Sequence, residues 1–116
     1  MLVAARRIRD EGIRIPADVV WVATTQEEIG LRGAQTAVAL ASPDIGISIE
    51  AGVSADFPGI GPTQAQERLG HGPGIFLLDS SMIPNRKLRD FFFDVAKDVG
   101  ISLQPDVLTG YGEASV

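Results

Sequence analysis

Two adjacent carboxylates, Glu27 and Glu28, follow a run of β-branched and apolar residues and precede a turn marked by Gly30 and Gly33. A third, Glu50, stands twenty-two positions after the second. Acidic pairs on exposed helices and loops are common and usually solvated. Near a strand end, by contrast, two neighbouring carboxylates repel and call for a cation or a shared proton. Two chemistries fit the residue types. A divalent metal would supply the cation that makes the pair tolerable. Alternatively, an acid and a base could flank a sugar bond. Consecutive strand residues project to opposite faces, so Glu27 and Glu28 do not suit the roughly 5 to 9 Å separation that glycoside hydrolysis requires, whereas Glu27 with Glu50 or Asp56 could.

The elements that must position these residues are readable from local pattern. Val19-Val20-Trp21-Val22-Ala23-Thr24-Thr25 lacks clear alternation and predicts a strand covered on both faces, with Glu27 and Glu28 at its C-terminal end. Residues 34–41 predict a short helix closed by Ser42-Pro43. Ile45-Gly46-Ile47-Ser48-Ile49 predicts a second strand, with Glu50 at its far end. Ligand sites in open α/β sheets gather outside the C-terminal strand ends, and the spacing from Glu28 to Glu50 suits a strand end, a helix and a returning strand. The two ends are therefore expected to converge.

The rest of the chain continues the alternation. Residues 2–11 predict a helix stopped by Gly12, with no Ser, Thr, Asp or Asn to cap its start, so the chain is expected to open inside a helix. Residues 51–74 read as a long Gly- and Pro-rich loop with one short strand near 65–69. Ile75-Phe76-Leu77-Leu78-Asp79 predicts a buried strand. Asn85 is placed to cap a helix whose Leu88, Phe91, Phe92, Val95 and Val99 share a face, with Phe91-Phe92-Phe93 as core packing and Gly100 as the stop. Residues 103–108 predict a last strand, followed by a loop at Gly110-Tyr111-Gly112-Glu113. Alternating strands and helices argue for an α/β layered sheet, mixed and mostly parallel with helices on both faces.

Composition narrows the function. The 116 residues fit one domain, and 45% hydrophobic content can supply an ordinary core. Without cysteine there is no disulfide and no thiolate ligand or nucleophile, so any metal must sit on oxygen and imidazole. The formal charge of −5 opposes binding to a phosphate backbone, and the basic cluster of Arg6, Arg7 and Arg9 reads as a solvated helix face. No run approaches the roughly 18 apolar residues of a membrane span, and no apolar segment of a secretion signal follows the basic start. The expectation is a cytoplasmic protein with no nucleic-acid or membrane partner.

Several ordered segments carry a more specific signal. Thr24-Thr25-Gln26-Glu27-Glu28-Ile29-Gly30-Leu31-Arg32-Gly33-Ala34 resembles the central motif of the glutamyl and deblocking aminopeptidases, some of whose members are labelled endoglucanase or cellulase M. Ile49-Glu50-Ala51-Gly52-Val53-Ser54-Ala55-Asp56-Phe57-Pro58-Gly59 is similar to that family's second acidic segment. Leu69-Gly70-His71-Gly72-Pro73-Gly74-Ile75 resembles its glycine-rich approach to a strand, and Gly100-Ile101-Ser102-Leu103-Gln104 its late helix-to-strand junction.

The resemblance implies a zinc-peptidase-like fold, present here in part, with residues 1–116 forming a partial catalytic domain. It implies hydrolysis of N-terminal peptide bonds by two divalent metal ions, zinc or cobalt, bridged by water or hydroxide. Glu27 would be the general base, and Glu28 and Glu50 metal ligands. Peptides would be the substrates and a homo-oligomer the assembly. The family's other ligands, an upstream histidine and aspartate and a downstream histidine, have no counterpart in this chain. His71 occupies a loop position, and Ala114 follows Glu113 where relatives carry an aspartate. The 116-residue chain alone is therefore expected to hold no metal pair tightly and to be inactive or nearly so. The endoglucanase-type glycoside hydrolase and a non-catalytic truncated fragment stay as alternatives.

Overall fold

The computed structural model describes residues 1–61, 65–79 and 81–107. The chain divides into two units, Met1–Ile49 and Glu50–Val116. In the first, helix α1 spans Leu2–Asp10, with Met1 at its N-cap making no side-chain capping bond. It ends in a Schellman motif: Gly12 takes φ +62°, its N–H donates to the Arg9 carbonyl at 3.3 Å, and the Ile13 N–H reaches the Ile8 carbonyl at 2.9 Å. Arg7 bridges Glu11 one turn on at 2.8 Å and holds that carboxyl below its ordinary range, first by the hydrogen bond and then by charge. Both partners are exposed, so the pair adds little to stability.

Helix α2 spans Arg32–Ala41. Ser42 closes it in a left-handed conformation, its N–H on the Val38 carbonyl at 2.8 Å, and Pro43 then prevents continuation. The expected strands at 19–25 and 45–50 join no ladder among the described residues. Their apolar side chains are exposed, Val20 at 64% and Ile49 at 66%. β-branched residues favour extended backbone, but a strand exists only through the partner that takes up its N–H and C=O groups.

The second unit holds the predicted βαβ arrangement. Strand β1, Gly74–Leu78, pairs in parallel with β2, Gln104–Val107, with Gly74 opposite Gln104 and Phe76 opposite Asp106. Helix α3, Arg86–Asp98, makes the connection that a parallel pair demands. Asn85 caps it as expected, its Oδ1 accepting the Leu88 N–H at 3.1 Å. Gly100, at φ +71°, ends it in the same motif as α1: its N–H bonds the Lys97 carbonyl, and that of Ile101 bonds the Ala96 carbonyl at 2.8 Å.

Two details differ from the expected pattern. The covered face of α3 runs through Leu88, Phe92 and Ala96, one turn apart, whereas Phe91 is 59% exposed and Val99 lies outside as well. Phe91 instead stacks its ring obliquely on Phe92, centroids 6.4 Å apart. Residues 65–69 form no strand, yet they are fastened to β2 by side chains. Gln104 accepts the Arg68 N–H at 2.9 Å and donates to the carbonyls of Arg68 and Gly72. Among the described residues the buried apolar side chains are Ala65 and Ala96, a core far smaller than the composition allows. The end of the expected last strand at Leu108 and the loop at Gly110-Tyr111-Gly112-Glu113 lie outside the described residues.

Candidate active site

The loop between residue 25 and α2 holds the acidic pair. Its neck is closed by two backbone bonds, Gly33 N–H to the Thr25 carbonyl at 3.0 Å and Arg32 N–H to the Gln26 carbonyl at 3.3 Å. Inside the neck the Glu27 carbonyl accepts from both Gly30 and Leu31, at 3.1 and 3.0 Å. Such a fold-back requires unusual backbone: Gln26 and Leu31 both take left-handed conformations, at φ +58° and +56°. Gly33 has a separate role. A Cβ there would lie 2.5 Å from both the N and the O of Thr25, so only glycine lets the start of α2 sit against the chain before the pair. Glu27 is half-buried and Glu28 exposed. Adjacent in sequence, they therefore differ in environment.

Beside this loop, residues 22–26 and one face of α2 line a shallow, open groove of about 410 Å³. Val22, Ala23, Ala37 and Leu40 give it apolar walls, and Gln26 and Arg32 mark the end near the acidic pair.

Glu50 stands at the start of the second unit, exposed, with one carboxylate oxygen accepting the Ala51 N–H at 3.0 Å. Glu27 and Glu28 are thus brought together by one loop, while Glu50 belongs to the other unit. Among the described residues no three His, Cys, Asp or Glu side chains gather where they could hold a metal ion. His71 is exposed in the glycine-rich loop, and Asp56 accepts the Leu69 N–H at 2.9 Å, a bond that organises the loop.

Three acids outside the sequence-derived set are placed by the second unit. Asp79, 5% exposed at the end of β1, turns the chain toward α3: its Oδ1 accepts from the Ser81 N–H and hydroxyl and from the Met82 N–H, at 2.6, 2.9 and 2.7 Å. An Asp two residues before a Ser at a strand end is a turn signal that sequence reading could have used. Glu67 seats its carboxyl over Gly52 and Gly74, where any Cβ would collide with it. Burial, and then the nearby Asp106, push its pKa up. Asp106 is 1% exposed on β2 and accepts the Val107 N–H at 2.7 Å. Nothing in the local sequence marks these two, because the packing of distant residues creates their environment.

Residues 1–115 match the M42 glutamyl aminopeptidases, and the chain belongs to that family. It is 36% identical over 104 residues to a lysyl aminopeptidase of Pyrococcus furiosus, a match covering 90% of this chain and 28% of that protein. Among solved structures it is similar to a TET aminopeptidase from the marine sediment archaeon Thaumarchaeota archaeon SCGC AB-539-E09, with a TM-score of 0.88 and 42% identity over 98% of this chain and 32% of that one. The mixed α/β fold is therefore that of the TET enzyme over the shared segment. The chain spans less than a third of the length of either relative. No helix among the described residues is long and apolar enough to cross a membrane.

Proposed function

We propose that this chain is the central part of the catalytic domain of an aminopeptidase that removes N-terminal residues from peptides. The observation that carries the reading is the closed loop at residues 25–33, which holds Glu27 half-buried and Glu28 exposed within a family-matching segment. Glu27 is the general base, taking a proton from the attacking water and returning it to the leaving amine. Glu28 and Glu50 are carboxylate donors toward a pair of divalent ions, zinc or cobalt, in the full-length protein. Those two donors do not by themselves fit such a pair. They belong to different units, and a zinc ion takes about three or four ligands.

The reading therefore divides activity between the parts. The full-length polypeptide carrying this chain should release amines from aminoacyl amides and lose turnover on chelation, while the 116-residue chain with added zinc or cobalt should release none. Robust turnover by the short chain would contradict the incomplete donor set. A full-length protein that is inert on every aminoacyl amide would overturn the aminopeptidase reading. A glycoside hydrolase working with two carboxylates would be indifferent to chelator, and none of the relatives above is a glycosidase. Peptides, a cytoplasmic setting and a homo-oligomeric assembly complete the proposal.

A further inference from the structure

Gln26, the residue immediately before Glu27, occupies the left-handed region at φ +58°, which a side chain with a Cβ enters against steric resistance. Asn and Asp visit that region with the help of local hydrogen bonds from a short side chain; glutamine lacks this help. The conformation is locked from both sides. Carbonyls 25, 26 and 27 accept from Gly33, from Arg32, and from Gly30 and Leu31 respectively, and Gly33 is packed against the Thr25 backbone. The peptide between Gln26 and Glu27 cannot rotate without breaking one of these bonds, so the backbone at 26 fixes the direction in which the Glu27 side chain leaves the loop. Strain retained next to a reactive group, and over-determined by its surroundings, is characteristic of pre-organised sites.

We propose that Gln26 is a positioning residue: its left-handed backbone, clamped by the neck of the loop, aims the Glu27 carboxylate. The proposal rests on the assignment of Glu27 as base, and its test separates the two. In the full-length polypeptide, Gln26→Asn keeps a residue at ease in the left-handed region, Gln26→Gly permits that region without favouring it, and Gln26→Val opposes it. Small misplacement of a catalytic group costs up to about a hundredfold in rate. The expected order of kcat is wild type and Asn within about twofold, Gly lower by roughly tenfold, and Val lower by up to roughly a hundredfold. KM should stay nearly constant.

Gln26 also lines the groove, so a loss in Asn equal to that in Gly would assign the effect to the side chain and overturn the proposal. Equal kcat for Gly and wild type, counted per folded molecule, would overturn it too, provided Glu27→Gln is inactive in the same preparation. If Glu27→Gln turns over like wild type, the base assignment fails first, and the proposal falls with it for that separate reason. A readout independent of activity uses the full-length polypeptide, isotopically labelled at residue 26: its backbone carbon shifts should be left-handed in wild type and Asn and lost in Val. Extended shifts in the wild type would contradict the locked conformation. Should Val fail to fold, Gly and Asn still decide, because both accept the native backbone.

Discussion

Glu67 sits where its neutral form is favoured, over two glycines and close to Asp106, with burial the larger cause and repulsion the smaller. The folded state therefore holds the Glu67 proton more tightly than the unfolded chain does. The contribution of this group is full below the unfolded carboxylate value of about 4.3 and is lost as pH rises through the raised folded value. Glu67→Gln removes the titration while preserving the shape. Urea unfolding should find the variant as stable as wild type or more so at neutral pH, with that advantage gone near pH 4; the opposite order would mean that the ionised form is favoured. Sequence reading singles out Glu27, Glu28 and Glu50 because neighbouring residues announce them. It passed over Glu67 and Asp106 because Gly52, Gly74 and β2, which create their environment, are remote in the chain.

Local signals determine the elements that were legible. Helices α1, α2 and α3 follow from caps and stops within a few residues: Gly12 and Gly100 at their left-handed positions, Asn85 on the Leu88 N–H, Ser42-Pro43 after α2. Asn85→Ala should cost about 1 kcal/mol, measured by denaturant unfolding of the second unit's helical signal. Gly33→Ala forces a Cβ onto the Thr25 backbone and should cost about 1–3 kcal/mol; in the full-length protein it should also lower turnover, since the loop neck must open. The strands were legible only where a partner exists. Strands β1 and β2 pair across α3, whereas 19–25 and 45–50, equally β-prone in composition, have no ladder among the described residues. Propensity supplies the extended shape, and pairing is a property of the rest of a fold. The amphipathic face of α3 was displaced for a related reason: helical spacing identified several apolar residues, but packing selected Leu88, Phe92 and Ala96.

At the scale of the molecule, the segment-by-segment family resemblance carried over to a fold match along nearly the whole chain, while among the described residues no three His, Cys, Asp or Glu side chains gather where they could hold a metal ion. A core whose buried apolar members are Ala65 and Ala96 leaves Val20, Ile45, Leu40 and other large side chains in water. Relatives about three times as long share this segment. The 116-residue chain should accordingly bind a hydrophobic dye and unfold over a broad range of denaturant, whereas the full-length polypeptide should exclude the dye and unfold more steeply. A sharp transition in the short chain would show a core that the described residues do not contain. The central claim is that Glu27 is the base of an aminopeptidase, and the kcat of Glu27→Gln in the full-length polypeptide tests it most directly. The account predicts a loss of roughly 100- to 10,000-fold at unchanged metal content; turnover equal to wild type would contradict it.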